Sequence, residues 1–438
     1  MGIGVLIMLL LLGVHIAIAL MLTGMIGTGV LVGFGPSFAS AMEAIYHKIA
    51  SYDLVTIPLF VLMGYLASSG GISEKVFSSL NMLVGRISGG LGISTVASCT
   101  AFSSVCGSSL VTASVFAKIC APEMRKYGYE KKLAYGICAS AGMIGMLTPP
   151  SILIVVYGIQ SGESIGKLLI AGISPGLMLA LFFSITVYII SRWRKDLISS
   201  GTPAATYAKG QKLKALAGLW QIWVLAAVIF AGIFGGIFNP TEAAAVASTL
   251  LALLLILSNV NKGPGYLWEI FSKSFSETAG TSCMIFLIMG GASVFSQFLV
   301  IAGITDLVTQ FVLGLNMSLL GLVVVILFVY LILGSVLDSF SMICITVPIF
   351  NPIVNAMDAD PIWYAMLVVM AIEMGLLTPP VGLNVYGAFA VAEPDVRLED
   401  IFVGVLPFYF AVILTIILLL FIKPLSTFLP NMMMLLLY

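Results

Sequence analysis

Long apolar stretches recur along almost the whole chain, with short polar segments between them. A helix that crosses a bilayer needs about 20 mostly apolar residues, and we expect roughly ten to twelve such spans and no soluble domain. The first stretch has no basic segment before it and no small-residue cleavage site, so we interpret it as a retained span rather than a signal peptide. The clearest stretches are Ile3–Leu22, Leu54–Ala67, Leu168–Ile190, Ile222–Phe238, Ala243–Leu257, Leu319–Leu333 and Ile401–Ile422.

One short phrase occurs twice, as MLTPPSILIVVYG at residues 146–158 and as LLTPPVGLNVYG at residues 376–387. Its threonines, Thr148 and Thr378, are 230 positions apart. Other matched pairs, 230 to 232 positions apart, are Pro122 with Pro352, GISP at 172–175 with GVLP at 404–407, and GGI at 70–72 with AGI at 302–304. Offsets this constant predict an internal repeat.

A second irregular segment precedes each phrase. FSSVCGSSLVTAS at 102–114 places six Ser and Thr around one Gly in a stretch too short to span twice. We interpret it as a re-entrant hairpin, with LGSVLDSFSMICITVP at 333–348 as its counterpart. Ordinary packing of small residues between membrane helices is the alternative.

The repeat predicts a division of the chain into two halves and a joint. We assign residues 1–191 to the first repeat, with a hairpin at about 92–118 and a broken helix at about 133–158. We assign residues 219–424 to the second repeat, with a hairpin at about 318–350 and a broken helix at about 361–388. A cytoplasmic linker at 192–218 joins the repeats, and residues 425–438 form a C-terminal tail.

Composition agrees with a membrane protein. The 438 residues are 60% hydrophobic and 9% charged, with a mean hydropathy of +1.15. A soluble core does not need this much apolar surface, so the solvent for most of the chain is a bilayer. The net charge of zero argues against a nucleic-acid surface.

The basic residues indicate the topology. Of the 19 Lys and Arg, 11 lie at 117–132 and 192–214, and the positive-inside rule places both segments in the cytoplasm. The counterpart of the first segment, Asn351–Pro361, has no basic residue and two Asp. Equivalent loops therefore face opposite sides of the membrane, and the two repeats are predicted to be inverted.

Each Pro-Pro pair removes backbone donors in a membrane segment and leaves carbonyls without helical partners. Such backbone persists in a membrane only where it lines a cavity or binds something. The freed carbonyls and the hydroxyls of Thr148 and Thr378 are hard oxygen ligands, suited to Na⁺. A plain proline kink is the alternative, although each phrase also has a Gly three residues before its Thr, at Gly145 and Gly375.

Three acids lie at membrane depth. Asp338 falls on Ser108 at the 230 offset, and a carboxylate in such a stretch is by default a functional hypothesis. Glu242 follows Asn239 at a helix start, which favours a structural role with the helix dipole. The role of Glu373 stays open.

The cysteines and histidines do not indicate catalysis. The six Cys show no ligand spacing and are interpreted as packing residues. Nothing in the spacing pairs His15 with the Ser-rich hairpin, so an intramembrane serine protease is disfavoured. No P-loop GxxxxGK[ST] is present, and we predict a transporter rather than an enzyme.

Taken together, the TPP phrases, SSVCGSS, GIFNPTEAAAVA at 236–247 and ITVPIFNPIV resemble the large membrane subunit of TRAP transporters, the tripartite ATP-independent periplasmic type. The resemblance runs over nearly the whole chain and also places it in the wider ion transporter superfamily. It implies a sodium-driven importer of organic acids in a bacterial or archaeal inner membrane. It further implies a small membrane subunit, a soluble substrate-binding protein, and an elevator-type transport domain that moves against a scaffold.

The resemblance also implies site residues, carried over by position. The first of two Na⁺ sites would use Ser103, Ser104, Gly107, Gly145 and Thr148. The second would use Gly334, Asp338, Gly375 and Thr378. The substrate would lie near Ser108, Ser109, Ser151, Asp338 and Asn384.

Two alternatives stay open. A stand-alone sodium–anion symporter of the same superfamily would work without a binding protein. A channel would need a continuous polar pore face, whereas the polarity here is concentrated at two hairpin tips. The substrate is not specified, because no membrane-depth Arg is available to bind a carboxylate, and dicarboxylates, sialic acids, sugar acids and sulfonates all fit.

Overall fold

The computed structural model describes residues 2–85, 87–194, 196–198 and 217–437. Within these ranges the chain is helical, and the one pairing of extended backbone is an isolated antiparallel bridge between Tyr129 and Ile198. The predicted all-α fold is confirmed. Most of the predicted linker at 192–218 lies outside the described residues.

The first half begins with helices that precede the Ser-rich segment: α1 Gly2–Leu11, α2 Ile16–Val32, α3 Phe34–Ile49, α4 Thr56–Ser69 and α5 Ile72–Val84. Two antiparallel arms then form the first hairpin, α6 Gly90–Cys106 and α7 Ser109–Lys126. The first broken helix consists of α8 Lys131–Gly142, a 3-10 turn Met143–Met146, and α9 Ile152–Ser161. The half ends with α10 Ile165–Ala171 and α11 Ile173–Trp193.

The second half begins with α12 Trp220–Phe234, α13 Pro240–Asn259, α14 Pro264–Ile301 and α15 Ile304–Gly314. The second hairpin is α16 Leu319–Gly334 and α17 Ser339–Asn355, and the second broken helix is α18 Pro361–Gly375 and α19 Leu383–Phe389. The chain ends with α20 Leu398–Phe421 and α21 Pro424–Leu437.

The two halves repeat one series of elements. The helices α15 to α19 begin 229 to 232 positions after their counterparts α5 to α9. The last member of each series, α11 and α20, carries an internal proline, Pro175 and Pro407, at the same offset of 232. The internal repeat is therefore visible in the order of the helices, and its inverted orientation stays a prediction.

Length and hydropathy agree with a multi-pass membrane protein. Among the described residues, five helical segments are long and apolar enough to span a bilayer: Tyr52–Ser69, Ile165–Trp193, Pro240–Lys262, Pro264–Ile301 and Leu398–Phe421. The hairpin arms and the halves of the broken helices are shorter apolar helices. Large apolar side chains are exposed on the outer helices, such as Phe328 on α16 and Phe410 on α20, as expected of a lipid-facing surface.

The first broken helix forms the centre of the molecule. Every residue from Leu133 to Gly158 is buried, across the whole interruption. Around this centre, the long α14 packs against α2, α3 and α4, and α4 also packs against α13, where the hydroxyls of Thr56 and Thr241 lie 2.5 Å apart. The first interruption thus lies in the protein interior, where irregular backbone is tolerated, whereas Pro379 and Pro380 of the second interruption are exposed.

Candidate functional site

The tip of the first hairpin is a two-residue turn between α6 and α7. Gly107 has a φ of +65°, and a Cβ at this position would lie 2.6 Å from the carbonyl oxygen of Pro150. Glycine is therefore required both by the backbone and by the close approach. Ser108 follows as the N-cap of α7, and its Oγ accepts a hydrogen bond from the Val111 N–H at 3.4 Å.

The tip of the second hairpin has a carboxylate in the equivalent position. Asp338 is the N-cap of α17, and its Oδ1 accepts hydrogen bonds from the N–H groups of Phe340 and Ser341, both at 3.0 Å. Its Oδ2 accepts a hydrogen bond from the Ser341 hydroxyl. The start of α17 stabilises the negative charge through these donors and its dipole.

Each tip binds the broken helix of its own repeat just after the Pro-Pro pair. The N–H of Ile152 donates to the Gly107 carbonyl at 3.2 Å, and the N–H of Val381 donates to the Ser335 carbonyl at 3.1 Å. The Pro-Pro peptide bonds of both broken helices are cis. The tips therefore satisfy part of the backbone that the prolines release from the helix.

Two of the residues predicted for the first Na⁺ site, Gly107 and Gly145, lie at the first tip, and two others, Ser103 and Thr148, form hydrogen bonds within their own helices. Gly145 packs on the first tip, since a Cβ there would lie 2.8 Å from the Ser108 carbonyl oxygen. Thr148 is buried and donates to the Ile144 carbonyl at 2.9 Å, and Ser103 donates to the Cys99 carbonyl at 2.5 Å. A hydroxyl that donates in this way keeps its lone pairs for a cation.

Ser104 lies apart from this group. It lines a cavity between α6, α11 and α12 with apolar residues that include Leu177 and Trp223. The structure does not place its side chain beside the broken helix.

The residues predicted for the second Na⁺ site lie where α16 meets α18. Gly334 and Gly375 pack backbone to backbone, because a Cβ on Gly375 would lie 2.7 Å from the Gly334 Cα. Thr378 donates to the Met374 carbonyl at 2.9 Å and accepts from the Tyr409 hydroxyl at 3.2 Å. Asp338 begins the neighbouring arm. The described residues contain no group of three or more His, Cys, Asp or Glu that could hold a metal, and the ligands predicted for this site are the Asp338 carboxylate, the Thr378 hydroxyl and backbone carbonyl oxygens.

Two of the predicted substrate residues meet at a residue whose role the sequence left open. Glu373 is fully buried, and its Oε1 accepts a hydrogen bond from the Ser109 hydroxyl at 3.4 Å. Asn384 is also fully buried beside Glu373. Within the described residues, Glu373 Oε2 and both amide atoms of Asn384 reach no hydrogen-bond partner. The first hairpin tip, α18 and α19 thus enclose a polar cluster of Ser109, Glu373 and Asn384, in which several hydrogen-bonding atoms are unused.

Ser151, another predicted substrate residue, serves its own helix. Its hydroxyl donates to the Met146 carbonyl at 2.5 Å, and its oxygen accepts from the Ile154 N–H at 3.2 Å as the N-cap of α9. The side chain is fully buried in the interruption of the first broken helix.

A small cavity of about 40 Å³ lies between the tips and two other helices. It is lined by Ser108 of the first tip, Phe340 of the second arm α17, Tyr65 of α4 and Thr281 of α14. The hydroxyls of Tyr65 and Thr281 are 3.0 Å apart. This volume has room for about one water molecule, so an organic acid could enter only if these elements separate.

Sequence reasoning missed Tyr65 and Thr281. Each is a polar residue in an apolar span, but nothing local distinguishes them from packing residues. Glu242, in contrast, forms the structural arrangement expected from its position: it exchanges two 2.9 Å hydrogen bonds with Asn239 in a capping box at the start of α13.

Charged residues join the two halves at the base of the first hairpin. Arg125 forms ion pairs with Glu393 and, through two parallel hydrogen bonds of 2.9 and 2.7 Å, with Asp395. This guanidinium lowers the pKa of Asp395 below its ordinary value. Lys131, at the start of the first broken helix, pairs with Asp400 at 3.0 Å. These ion pairs connect the basic segment to the loop between α19 and α20 and to the first turn of α20.

Comparisons with known proteins agree with this geometry. Residues 3–425 match the family described as "Tripartite ATP-independent periplasmic transporter, DctM component". The C4-dicarboxylate TRAP transporter large permease protein of Pseudomonas aeruginosa is 32% identical over 93% of both chains. The sialic acid TRAP transporter large permease protein of Vibrio cholerae is 31% identical over 84% of this chain and 83% of its own. The YdaH transporter of Alcanivorax borkumensis has a similar fold, with a TM-score of 0.59, 14% identity, and coverage of 92% of this chain and 89% of that chain.

Proposed function

The chain belongs to the DctM family of large membrane subunits of tripartite ATP-independent periplasmic transporters, and from this premise we propose that it imports small organic acids by coupling their movement to Na⁺. It is a multi-pass membrane transporter and not an enzyme, and its family works with a small membrane subunit and a periplasmic binding protein. Coupling to Na⁺, small organic acids as substrates and an elevator-type movement are what we propose.

Sodium coupling is supported by the two equivalent interruptions. Each has a threonine hydroxyl donating to a helix carbonyl at 2.9 Å, a glycine in close contact with a hairpin, and backbone released by Pro-Pro. Oxygen atoms of this kind, without thiolate or imidazole, suit a hard monovalent cation. We assign one Na⁺ to each interruption, with the residues predicted above other than Ser104.

The observation that carries the substrate proposal is the position of the polar residues between the hairpin tips. Ser109 of the first repeat and Glu373 and Asn384 of the second are buried together, and Ser108 lines the small cavity with Phe340, which follows Asp338 by two residues in the second hairpin. An organic acid bound there would use hydroxyls, amides and the neighbouring cations. Relatives whose names specify C4-dicarboxylates and sialic acid support a small organic acid as the substrate class.

An elevator-type movement is supported by contacts that cross between repeats. Hairpin arm α7 packs on α19, where a Cβ on Gly387 would lie 2.6 Å from Leu110 Cδ1, and α17 packs on α9, where Tyr157 donates to Asn351 at 3.4 Å. The two hairpins and two broken helices are thus interlocked and could move as one body. We place this body in a bacterial or archaeal inner membrane, moving against a scaffold that includes α4 and α14.

The proposal is tested by reconstitution with and without the soluble partner. The purified membrane subunits in liposomes are given the binding protein loaded with radiolabelled succinate or sialic acid, with an inward Na⁺ gradient and no ATP. We expect uptake only when the binding protein is present. Equal uptake of the free acid without the binding protein would instead identify a stand-alone sodium–anion symporter of the same superfamily.

A further inference from the structure

A second, larger cavity lies away from the hairpin tips. It has a volume of about 500 Å³, which is in the range of small-molecule sites. Its wall is formed by the end of α3 with His47 and Lys48, the end of α9 with Gln160, and one face of α14 with Ser293 and Gln297. We refer to it as the Lys48 cavity. In a chain with only 9% charged residues, a wall this polar is unusual.

Lys48 supplies a cation to this cavity. Its Nζ donates to the Ile159 carbonyl in the last turn of α9 at 3.1 Å. One hydrogen bond leaves two of the three ammonium donors free. None of the residues that line the cavity is acidic, and the nearest recorded carboxylate is that of Glu43, 3.8 Å from the lining residue His47.

Gln160 provides a second, independent sign of a ligand. Its Oε1 is buried and has no hydrogen-bond partner within the described residues. The two ends of a glutamine amide are interchangeable by rotation, so this side chain could present either an acceptor or an N–H donor to a bound group.

The cavity lies at the end of the first broken helix opposite to the basic segment. That helix begins at Lys131, within the segment assigned to the cytoplasm, and reaches Ile159 and Gln160 at its other end. The Lys48 cavity therefore opens toward the outside. It adjoins α9, which leads directly back to the interruption with Thr148 and Ser151.

We propose that the Lys48 cavity is an outward-facing binding site for organic anions, in which the Lys48 ammonium binds the carboxylate or sulfonate of a molecule on its way to the hairpin tips. This inference rests on the proposed import of organic acids, and it supplies the cation that the predicted substrate residues lack.

The test measures the charge preference of the cavity without requiring transport. A reporter thiol, Gln297→Cys, is introduced into the full chain together with Cys283→Ser, because Cys283 is the exposed one among the described cysteines. In liposomes of neutral phosphatidylcholine, the thiol is labelled from outside with an anionic methanethiosulfonate that carries a sulfonate, or with a cationic one that carries a trimethylammonium group. The ratio of the two labelling rates reports the local potential.

We expect the anionic reagent to be favoured and Lys48→Gln to lower the ratio roughly tenfold, the effect of removing one nearby charge in a hydrated site. Lys48→Arg should keep the ratio. Lys273→Gln, which removes an exposed lysine from the same helix α14 but far from the cavity, is the matched control and should also keep it. Lys48→Met serves as a second uncharged variant if Lys48→Gln does not fold.

Three results would overturn the inference. The reporter thiol could be inaccessible from outside, or the ratio could be the same in Lys48, Lys48→Gln and Lys48→Met proteins. Thirdly, the difference in ratio between the Lys48 and Lys48→Gln proteins could disappear when phosphatidylglycerol is added to the liposomes, which would show that a lipid headgroup occupies the cavity. Because no flux is measured, none of these outcomes depends on whether Na⁺ drives uptake, so the two proposals fail separately.

Discussion

Asp338 and Ser108 occupy equivalent positions at the two hairpin tips, each as the N-cap of a second arm. A serine would be sufficient as a cap, as the first tip shows. The second tip instead carries a charge. A charge at membrane depth costs free energy, and residues that carry one there usually have a function. The three hydrogen bonds that Asp338 accepts hold the carboxylate in a fixed orientation beside the Gly334–Gly375 contact.

We expect Asp338→Asn to insert normally but to lose nearly all Na⁺-dependent uptake, because asparagine keeps a capping oxygen and removes the charge. Ser108→Ala is the matched change at the other tip and should have a smaller effect, since it removes a neutral hydrogen bond worth about 0.5–1.5 kcal/mol. Both are measured as initial uptake rates at several Na⁺ concentrations. Wild-type rates and Na⁺ dependence in Asp338→Asn would refute its assignment.

The two threonines provide a test of the individual ion sites. Thr148→Val and Thr378→Val keep the shape of the side chain but remove an oxygen, so each should raise the Na⁺ concentration that gives half-maximal uptake. Thr378 also accepts from Tyr409, and Tyr409→Phe therefore controls for the loss of that hydrogen bond alone. If both valine variants respond to Na⁺ like the wild type, the Pro-Pro interruptions are only kinks.

Glu373 has the features of a residue that is retained for function at a cost in stability. A buried carboxylate with one unpartnered oxygen destabilises an apolar core. We therefore expect Glu373→Met to leave the unfolding temperature unchanged or raise it, while uptake falls sharply. Thermal unfolding in detergent and uptake in liposomes are measured on the same preparation. A variant that transports at the wild-type rate would show that the cluster has only a structural role.

At the scale of the elements, the contact between the second hairpin and the second broken helix depends on two glycines. Gly375→Ala would place a Cβ 2.7 Å from the Gly334 Cα, so α16 and α18 must move apart. We expect a loss of about 1–3 kcal/mol in stability and a large loss of uptake. Gly280→Ala, on the long helix α14, is the matched control because a Cβ there meets nothing within 4 Å. Equal behaviour of the two variants would exclude a role for close packing at this site.

The pattern of the sequence predicts the hairpins and broken helices, but the predicted single span Ile3–Leu22 is wrong, because the helix is interrupted between Leu11 and Ile16. The hairpins and broken helices follow from Ser-rich turns, paired prolines and a constant offset, which are local or periodic signals. The ends of these elements do not follow from the pattern. It predicts the first hairpin at about 92–118, whereas the two arms extend from Gly90 to Lys126, because Pro122 is accommodated within α7.

Contacts between distant elements could not be predicted in this way. Ser109 meets Glu373, and Tyr65 meets Thr281, across more than 200 positions. No spacing rule connects such residues, because the repeats interlock: each hairpin binds its own broken helix at the tip and packs along the other. The sequence pattern does not indicate Lys48 either, since α3 lies outside the matched series of helices.

At the scale of the whole molecule, the hairpins and broken helices interlock around the buried first broken helix, and α2, α3, α4, α13 and α14 pack against one another beside them. The 40 Å³ cavity and the Tyr65–Thr281 hydrogen bond lie at the boundary between the two groups. A substrate at the tips would therefore be released by movement of one group relative to the other. Ion binding at both interruptions is the event that we expect to control this movement.

The central claim is that Na⁺ drives transport, and it is tested most directly by the flux of the ion itself. In liposomes that contain the assembled transporter, ²²Na⁺ entry and radiolabelled acid entry are recorded together after addition of the loaded binding protein. We expect the two fluxes to start together, to keep a fixed ratio, and both to stop when the Na⁺ outside is replaced by K⁺. Acid uptake that continues at an unchanged rate in K⁺, or under a proton gradient alone, would contradict it.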